Sequence, residues 1–222
     1  MTVSVIIPVY NGEKYIRESI QSALQQDRSS LSEVIVVDDG STDRTREIVL
    51  DLFPDVTYHY QCNKGVGAAK NSGGLIATSK YLAFLDADDL WHKDKLRVQV
   101  DAIEKTGKDM AFTHVQHFKC PTSSKNTSQS LDPMPGKFST TLLIRKDALG
   151  KTGGFTEAKN IGEFIDWYSR AKSAGLTELM VPEVLAYRRI HDHNMTVNLK
   201  GSFNDYASVL KAHLERRRGE KK

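Results

Sequence analysis

Residues 3–10, 34–37 and 81–85 are runs of Val, Ile, Leu, Phe and Tyr almost without polar interruption, and each is followed by a turn and a helical apolar pattern. A strand that is apolar at nearly every position is buried on both faces, so helices must cover the sheet above and below. Strands that alternate with helices through short links pair in parallel with right-handed crossovers. The expected class is α/β, a doubly wound, mostly parallel sheet flanked by helices.

The pattern can be followed along the chain. After the first strand, Asn11-Gly12 makes a turn and an N-cap, and Ile16, Ile20, Ala23 and Leu24 place a helix ending near Gln26. Pro8 marks the end of that strand. After the second, residues 38–43 form a turn leading to a helix with Ile48, Val49 and Leu52. Residues 56–60 make a third strand and 66–76 a small-residue helix. Beyond Trp91, Leu96, Val100 and Ile103 mark another helix, and 110–115 another strand. Residues 119–137, rich in Ser, Thr, Asn, Gln and Pro, read as a long surface loop. Order returns at 141–145, at Gly153-Gly154-Phe155, in a helix over about 161–174, and in an edge strand over 184–190. Phe203, Tyr206, Leu210 and Leu214 form an amphipathic last helix, which covers the domain's own core or forms a homodimer seam.

At 222 residues the chain fits one large domain. A net charge of +3 makes no electrostatic commitment to nucleic acid. The exception is the basic end at 216–222, a solvated tail or a peripheral contact for a membrane surface or acidic partner. Cys62 and Cys120 lie far apart without metal-ligand spacing, which fits a reduced, cytoplasmic compartment. No apolar run nears the roughly 18 residues that cross a bilayer, and the chain opens on a strand rather than a signal peptide.

The chemistry gathers where strands end. Asp86, Asp88 and Asp89 crowd four positions after the third apolar run, and Asp38-Asp39 follow the second. In open α/β sheets, ligands bind outside the carboxyl ends of the strands. Carboxylates this close repel by a few kcal/mol without a cation between them, and a divalent metal carrying a diphosphate is the economical candidate. Tyr10 offers a ring for stacking on a base, and Asp38 or Asp39 can accept from a base N–H or a ribose hydroxyl. Gly65-Val-Gly67-Ala-Ala-Lys70 is not a dinucleotide fingerprint, because it does not follow the first strand and ends in a lysine, a residue suited to phosphate.

The segments 4–12, 36–43, Asn63-Lys64-Gly65 with Lys70-Asn71, 84–89 and Gly153-Gly154-Phe155, in that order, resemble the family 2 glycosyltransferases, which use the GT-A fold. The resemblance covers nearly the whole chain. It implies one GT-A domain over 1–222, with 1–105 as the nucleotide-sugar half, 106–200 as the acceptor and catalytic half, and 201–222 as a terminal helix and tail. It also implies an inverting transferase that moves a sugar from a nucleotide diphosphate, most often UDP, to an unidentified acceptor hydroxyl. Residue by residue, Pro8, Val9, Tyr10, Asp38 and Asp39 would line the uridine site, and Lys70 would lie near ribose or phosphate. Asp86, Ala87 and Asp88 would form the Asp-X-Asp motif, with Asp88 binding Mn2+ or Mg2+. Tyr187-Arg188-Arg189-Ile190-His191 resembles a segment in which His191 meets the metal or diphosphate and Arg188 or Arg189 faces the phosphates.

One position departs from the pattern. The family places its catalytic base as the second residue of a Glu-Asp pair after Gly-Gly-Phe, and here that residue is Phe164. Glu163 and then Asp166 are the replacement candidates for accepting the acceptor's proton. The alternative is a catalytically impaired member that acts as a nucleotide-sugar-binding or partner-binding subunit.

Overall fold

Strand β1 (Val3–Val9) is buried along its whole length in the computed structural model, which describes residues 2–27, 29–120, 130–157, 162–192 and 194. Its side chains divide by alternation. Val3, Val5, Ile7 and Val9 join one core with Ile16 and Ile20 of α1 (Ile16–Leu24), Val49 of α2 (Thr45–Leu52), and Leu96, Val100 and Ile103 of α4 (Lys95–Thr106). Ile6 joins the opposite core with Ala69 of α3 (Val66–Ile76), Ala148 and Leu149 of α5 (Lys146–Lys151), and Phe164 and Trp167 of α6 (Glu163–Ser173). A sheet covered on both faces is what continuous apolar strands require.

β1 pairs in parallel with β2 (Leu31–Asp38) on one side and β4 (Tyr81–Phe84) on the other, and β2 pairs in parallel with β3 (Thr57–Tyr60). The register aligns Val9 with Asp38 and Ile6 with Phe84, so the ends of β1, β2 and β4 open on one edge. Pro8 lies inside β1 and not past its end. The ladder to β4 stops at Ile6, and the next residue facing that side is Pro8, whose missing N–H breaks no bond there.

Beyond β4 the sheet continues through β8 (Leu143–Arg145), β6 (Met110–Lys119), β9 (Glu178–Ile190) and β5 (Leu90–Trp91), with β7 (Met134–Pro135) on β6. β8 is antiparallel to both neighbours, whereas β6 and β9 are parallel. The expected edge strand at 184–190 proves to be the second half of inner strand β9, flanked by β6 and β5. A register shift at Thr113/His114 leaves Pro182 and Glu183 outside the pairing, and this bulge splits the strand's sequence signal. Asn11, at φ +52°, caps no helix; its side-chain oxygen accepts the Thr42 N–H and ties the loops after β1 and β2 together. Residues 203–214 and 216–222, expected as a helix and basic tail, lie outside the described residues, as do 121–129 of the expected long loop. No helix among the described residues is long and apolar enough to cross a membrane.

Candidate active site

The three carboxylates after β4 part company. Asp86 turns toward α3 and the 3-10 turn Ser139–Thr141: its Oδ1 accepts from Ser139 Oγ at 3.3 Å and lies 4.0 Å from Lys70 Nζ. Asp88 turns toward the end of β9, with Oδ2 2.9 Å from His191 Nε2 and 3.2 Å from Asn194 Nδ2. Asp89 is buried, accepting the Arg189 N–H on Oδ1 at 2.9 Å and the Thr140 hydroxyl on Oδ2 at 3.1 Å. Burial pushes the Asp89 carboxyl well above the usual carboxylate range, and the charges of Asp88 and Asp86 push it further. The Asp86 carboxyl is also raised, by burial first, with Lys70 pulling back and Asp88 adding to the rise.

Lys70 is the hub on the α3 side. It is 1% exposed, and its ammonium donates to Glu163 Oε1 at 2.8 Å and to Ser139 Oγ at 3.0 Å. Glu163 is the first residue of α6 and is itself buried. Burial pushes its carboxyl up, but the Lys70 charge and hydrogen bond, with N–H groups at the helix start, outweigh this and hold it below the usual range. Gly67 lets this packing happen, because a Cβ there would sit 2.2 Å from the Thr156 carbonyl oxygen. Asn71, one residue on, both donates to the Phe155 carbonyl and accepts its N–H at 2.8 Å, which pins the Gly153-Gly154-Phe155 turn against α3.

Asp166 does not join this cluster. It is bonded to Arg170 Nε at 3.0 Å and to the Thr156 hydroxyl, and Arg170 in turn donates to the Thr152 and Gly154 carbonyls. Phe164 points into the core against Phe112, Trp167 and Tyr168. At the other strand ends, Tyr10 is 54% exposed, while Pro8, Val9, Asp38 and Asp39 are buried. Asp38 accepts from the Ser41 N–H and the Tyr58 hydroxyl. Asp39 accepts from Gln61 Nε2 and from the backbone N–H groups of Lys64 and Gly65, so it shapes the loop entering α3. Ala87 is half-buried between the acids, and its carbonyl accepts from Ser19.

The two arginines separate because successive strand residues face opposite ways. Arg189 is buried between the Tyr15 and Phe118 rings, donating to Glu18 at 2.6 Å and to the Asp88 carbonyl at 2.9 Å. Arg188 lies on the other face, its guanidinium 5.6 Å from the Phe138 ring centre. Among the described residues no group of three or more His, Cys, Asp and Glu side chains is arranged to hold a metal. Asp88 and His191 are nevertheless adjacent and offer one carboxylate and one imidazole. That pair fits an ion which takes its other ligands from a diphosphate and water.

The sequence profile described as Glycosyl transferase family 2 matches residues 4–159. The chain belongs to this family. An uncharacterised glycosyltransferase of Rickettsia typhi is 31% identical over 96% of this chain and 72% of its own length. TuaG of Bacillus subtilis, a proposed teichuronic acid biosynthesis glycosyltransferase, is 40% identical over 50% of this chain and 45% of its own. An uncharacterised Rickettsia conorii glycosyltransferase is 40% identical over 53% of this chain, a match spanning 19% of the relative. Among solved structures, S. aureus TarS 1–349 in complex with UDP-GlcNAc superposes with a TM-score of 0.77 at 23% identity, over 96% of this chain and 65% of that one, which shows a shared fold.

Ser139, Thr140 and Asn194 were not anticipated in this glycosyltransferase. Ser139 and Thr140 sit just after a Ser/Thr-rich stretch that reads as loop, yet they supply hydroxyls to Lys70, Asp86 and Asp89. Asn194 donates to both Asp88 and the Arg189 carbonyl. Hydroxyl and amide residues carry no charge signal, so only the fold brings them into view.

Proposed function

We propose that this family member is an inverting, metal-dependent glycosyltransferase that moves a sugar from a nucleotide diphosphate, UDP foremost, to an acceptor hydroxyl. One observation carries the reading: Asp88 beside His191 and Asp86 beside Lys70 and Glu163 meet at the end of β4, on the edge where β1 and β2 also end. The exposed Tyr10 ring would cover a base, and Pro8, Val9, Asp38 and Asp39 would line the uridine site. The UDP-GlcNAc named with the TarS structure supports a UDP-linked donor here, and TuaG supports an acceptor in polysaccharide synthesis.

Asp88 and His191 would hold Mn2+ or Mg2+, which as a Lewis acid stabilises charge on a departing diphosphate. Arg188 would add positive charge toward the phosphates, since Arg189 is already engaged by Glu18. Glu163 accepts the proton of the acceptor hydroxyl as its oxygen attacks the anomeric carbon. It is preferred to Asp166, whose carboxylate is taken up by Arg170 and Thr156.

A panel of UDP-sugars, with and without Mn2+ and with Asp88→Ala as control, tests this by binding and by release of UDP. Metal-dependent release abolished in Asp88→Ala is the expected result. Tight metal-dependent binding with no turnover on any acceptor would favour a non-catalytic, nucleotide-sugar-binding role, and no binding at all would remove the donor site proposed here.

A further inference from the structure

Lys70 is a buried charged side chain at the site, 1% exposed, and its surroundings show what it is for. An ammonium has three donors, and Lys70 has three oxygen acceptors near them: Glu163 Oε1 at 2.8 Å, Ser139 Oγ at 3.0 Å and Asp86 Oδ1 at 4.0 Å. The Phe155 ring lies 5.5 Å away on another side. Two of the three donors are hydrogen-bonded to the protein's own oxygens, and Asp86 lies at ion-pair distance. What it does touch is the carboxylate assigned above as the base. Ser139 completes the arrangement, because its hydroxyl accepts from Lys70 and donates to Asp86, so the ammonium is held between the two acids.

We propose that Lys70, held by Ser139, is a positioning residue of this glycosyltransferase: its ammonium fixes the Glu163 carboxylate beside Asp86 and sets the pH range over which Glu163 accepts a proton. The inference rests on the reading of Glu163 as base. The charged groups facing Glu163 are Lys70 from α3 and Asp86 after β4, while Asp166 on α6 itself is paired with Arg170. Lys70 is thus the cation that outweighs burial at Glu163. With it removed, a buried carboxylate next to Asp86 holds its proton to higher pH, and catalysis is lost at the acid end first.

The test uses the full chain, 13C-labelled at glutamate side-chain carboxyls, with the Glu163 signal assigned by its absence in Glu163→Gln. Lys70→Met and Lys70→Gln each remove the charge, and Gln keeps a polar group should Met not fold. The expected result is an upward move of the Glu163 titration midpoint by about 1–3 pH units in either variant. The acid limb of UDP release from a UDP-sugar should move by the same amount. An unmoved Glu163 titration, or a uniform fall in rate with an unmoved limb, would overturn the role given to Lys70. Retention of UDP release in Glu163→Gln would instead overturn the base assignment, whatever the titrations show, so the two failures are separable.

Discussion

Restoring the family's residue at position 164 should destabilise this protein instead of improving it. Phe164 is 7% exposed, stacked on Tyr168 at 6.1 Å and set against Trp167 at 5.6 Å and Phe112 at 6.2 Å. Truncating such a ring costs about 3–5 kcal/mol in lost burial and cavity. In Phe164→Asp a carboxyl also lands among those rings, and even a protonated, unpartnered polar group there adds about 1–3 kcal/mol. The total approaches the whole stability of an ordinary domain, about 5–15 kcal/mol. At about 2–4 °C per kcal/mol for a chain of this size, the melting temperature should fall by about 10 °C or more. Phe164→Leu, a milder change of volume, should cost under about 1.5 kcal/mol. Thermal and urea unfolding followed by circular dichroism measure both. A Phe164→Asp protein that melts within a few degrees of wild type and turns over faster would refute the reasoning, placing position 164 at the acceptor and displacing Glu163 as base.

Other perturbations probe separate parts of the same geometry. Lys95 is fully buried with Nζ on Gln99 Oε1 at 2.7 Å and over the Trp91 ring, and burial holds its pKa well below the usual lysine range. The unfolded chain keeps that proton to about pH 10.4, so stability rises with pH between the folded and unfolded values. Lys95→Met should flatten this rise in urea midpoints between pH 7 and pH 9.5, and parallel wild-type and variant curves would count against it. Asn71→Ala strands the Phe155 N–H and carbonyl and should cost about 1–3 kcal/mol, with loss of hydrogen-exchange protection at Phe155 as the local readout. Arg189→Ala breaks the bonds to Glu18 and the Asp88 carbonyl and should lower stability by about 1.5–3 kcal/mol, and Arg188→Ala should weaken UDP binding. Equal effects of the two arginine changes on both measurements would contradict their separation on β9.

How much of this was legible depended on whether a residue announces itself alone. β1, β2 and β4 are apolar at almost every position, and that pattern has few other uses in a chain of this length. β9 was half hidden, because Pro182 and Glu183 interrupt its alternation where the bulge lies. The two-residue strands β5 and β7 are too short for any periodicity, and the antiparallel entry of β8 between β4 and β6 is a matter of topology no local window contains. At the site, clustered carboxylates and the Arg-Arg-x-His run stood out by charge. Their pairing did not, because Asp88 and His191 are 103 positions apart and Lys70 and Glu163 are 93 apart.

The crowding of Asp86, Asp88 and Asp89 suggested a metal from sequence, and the fold changes what that crowding means. Lys70 offsets Asp86, His191 and Asn194 hold Asp88, and Asp89 lies buried against a backbone N–H and a hydroxyl, in surroundings that favour its neutral form. Part of the charge repulsion at this strand end is therefore offset by the protein itself, although the neighbouring acids still raise Asp86 and Asp89. What favours an ion is narrower: of the three acids, Asp88 alone is bonded to an imidazole, and that bond is one a cation must replace. Asp89→Asn, which keeps an acceptor for the Arg189 N–H, should leave metal-dependent UDP binding intact, while Asp88→Asn should lose it. If the two substitutions weakened metal-dependent binding equally, the division of labour among the three carboxylates would be wrong.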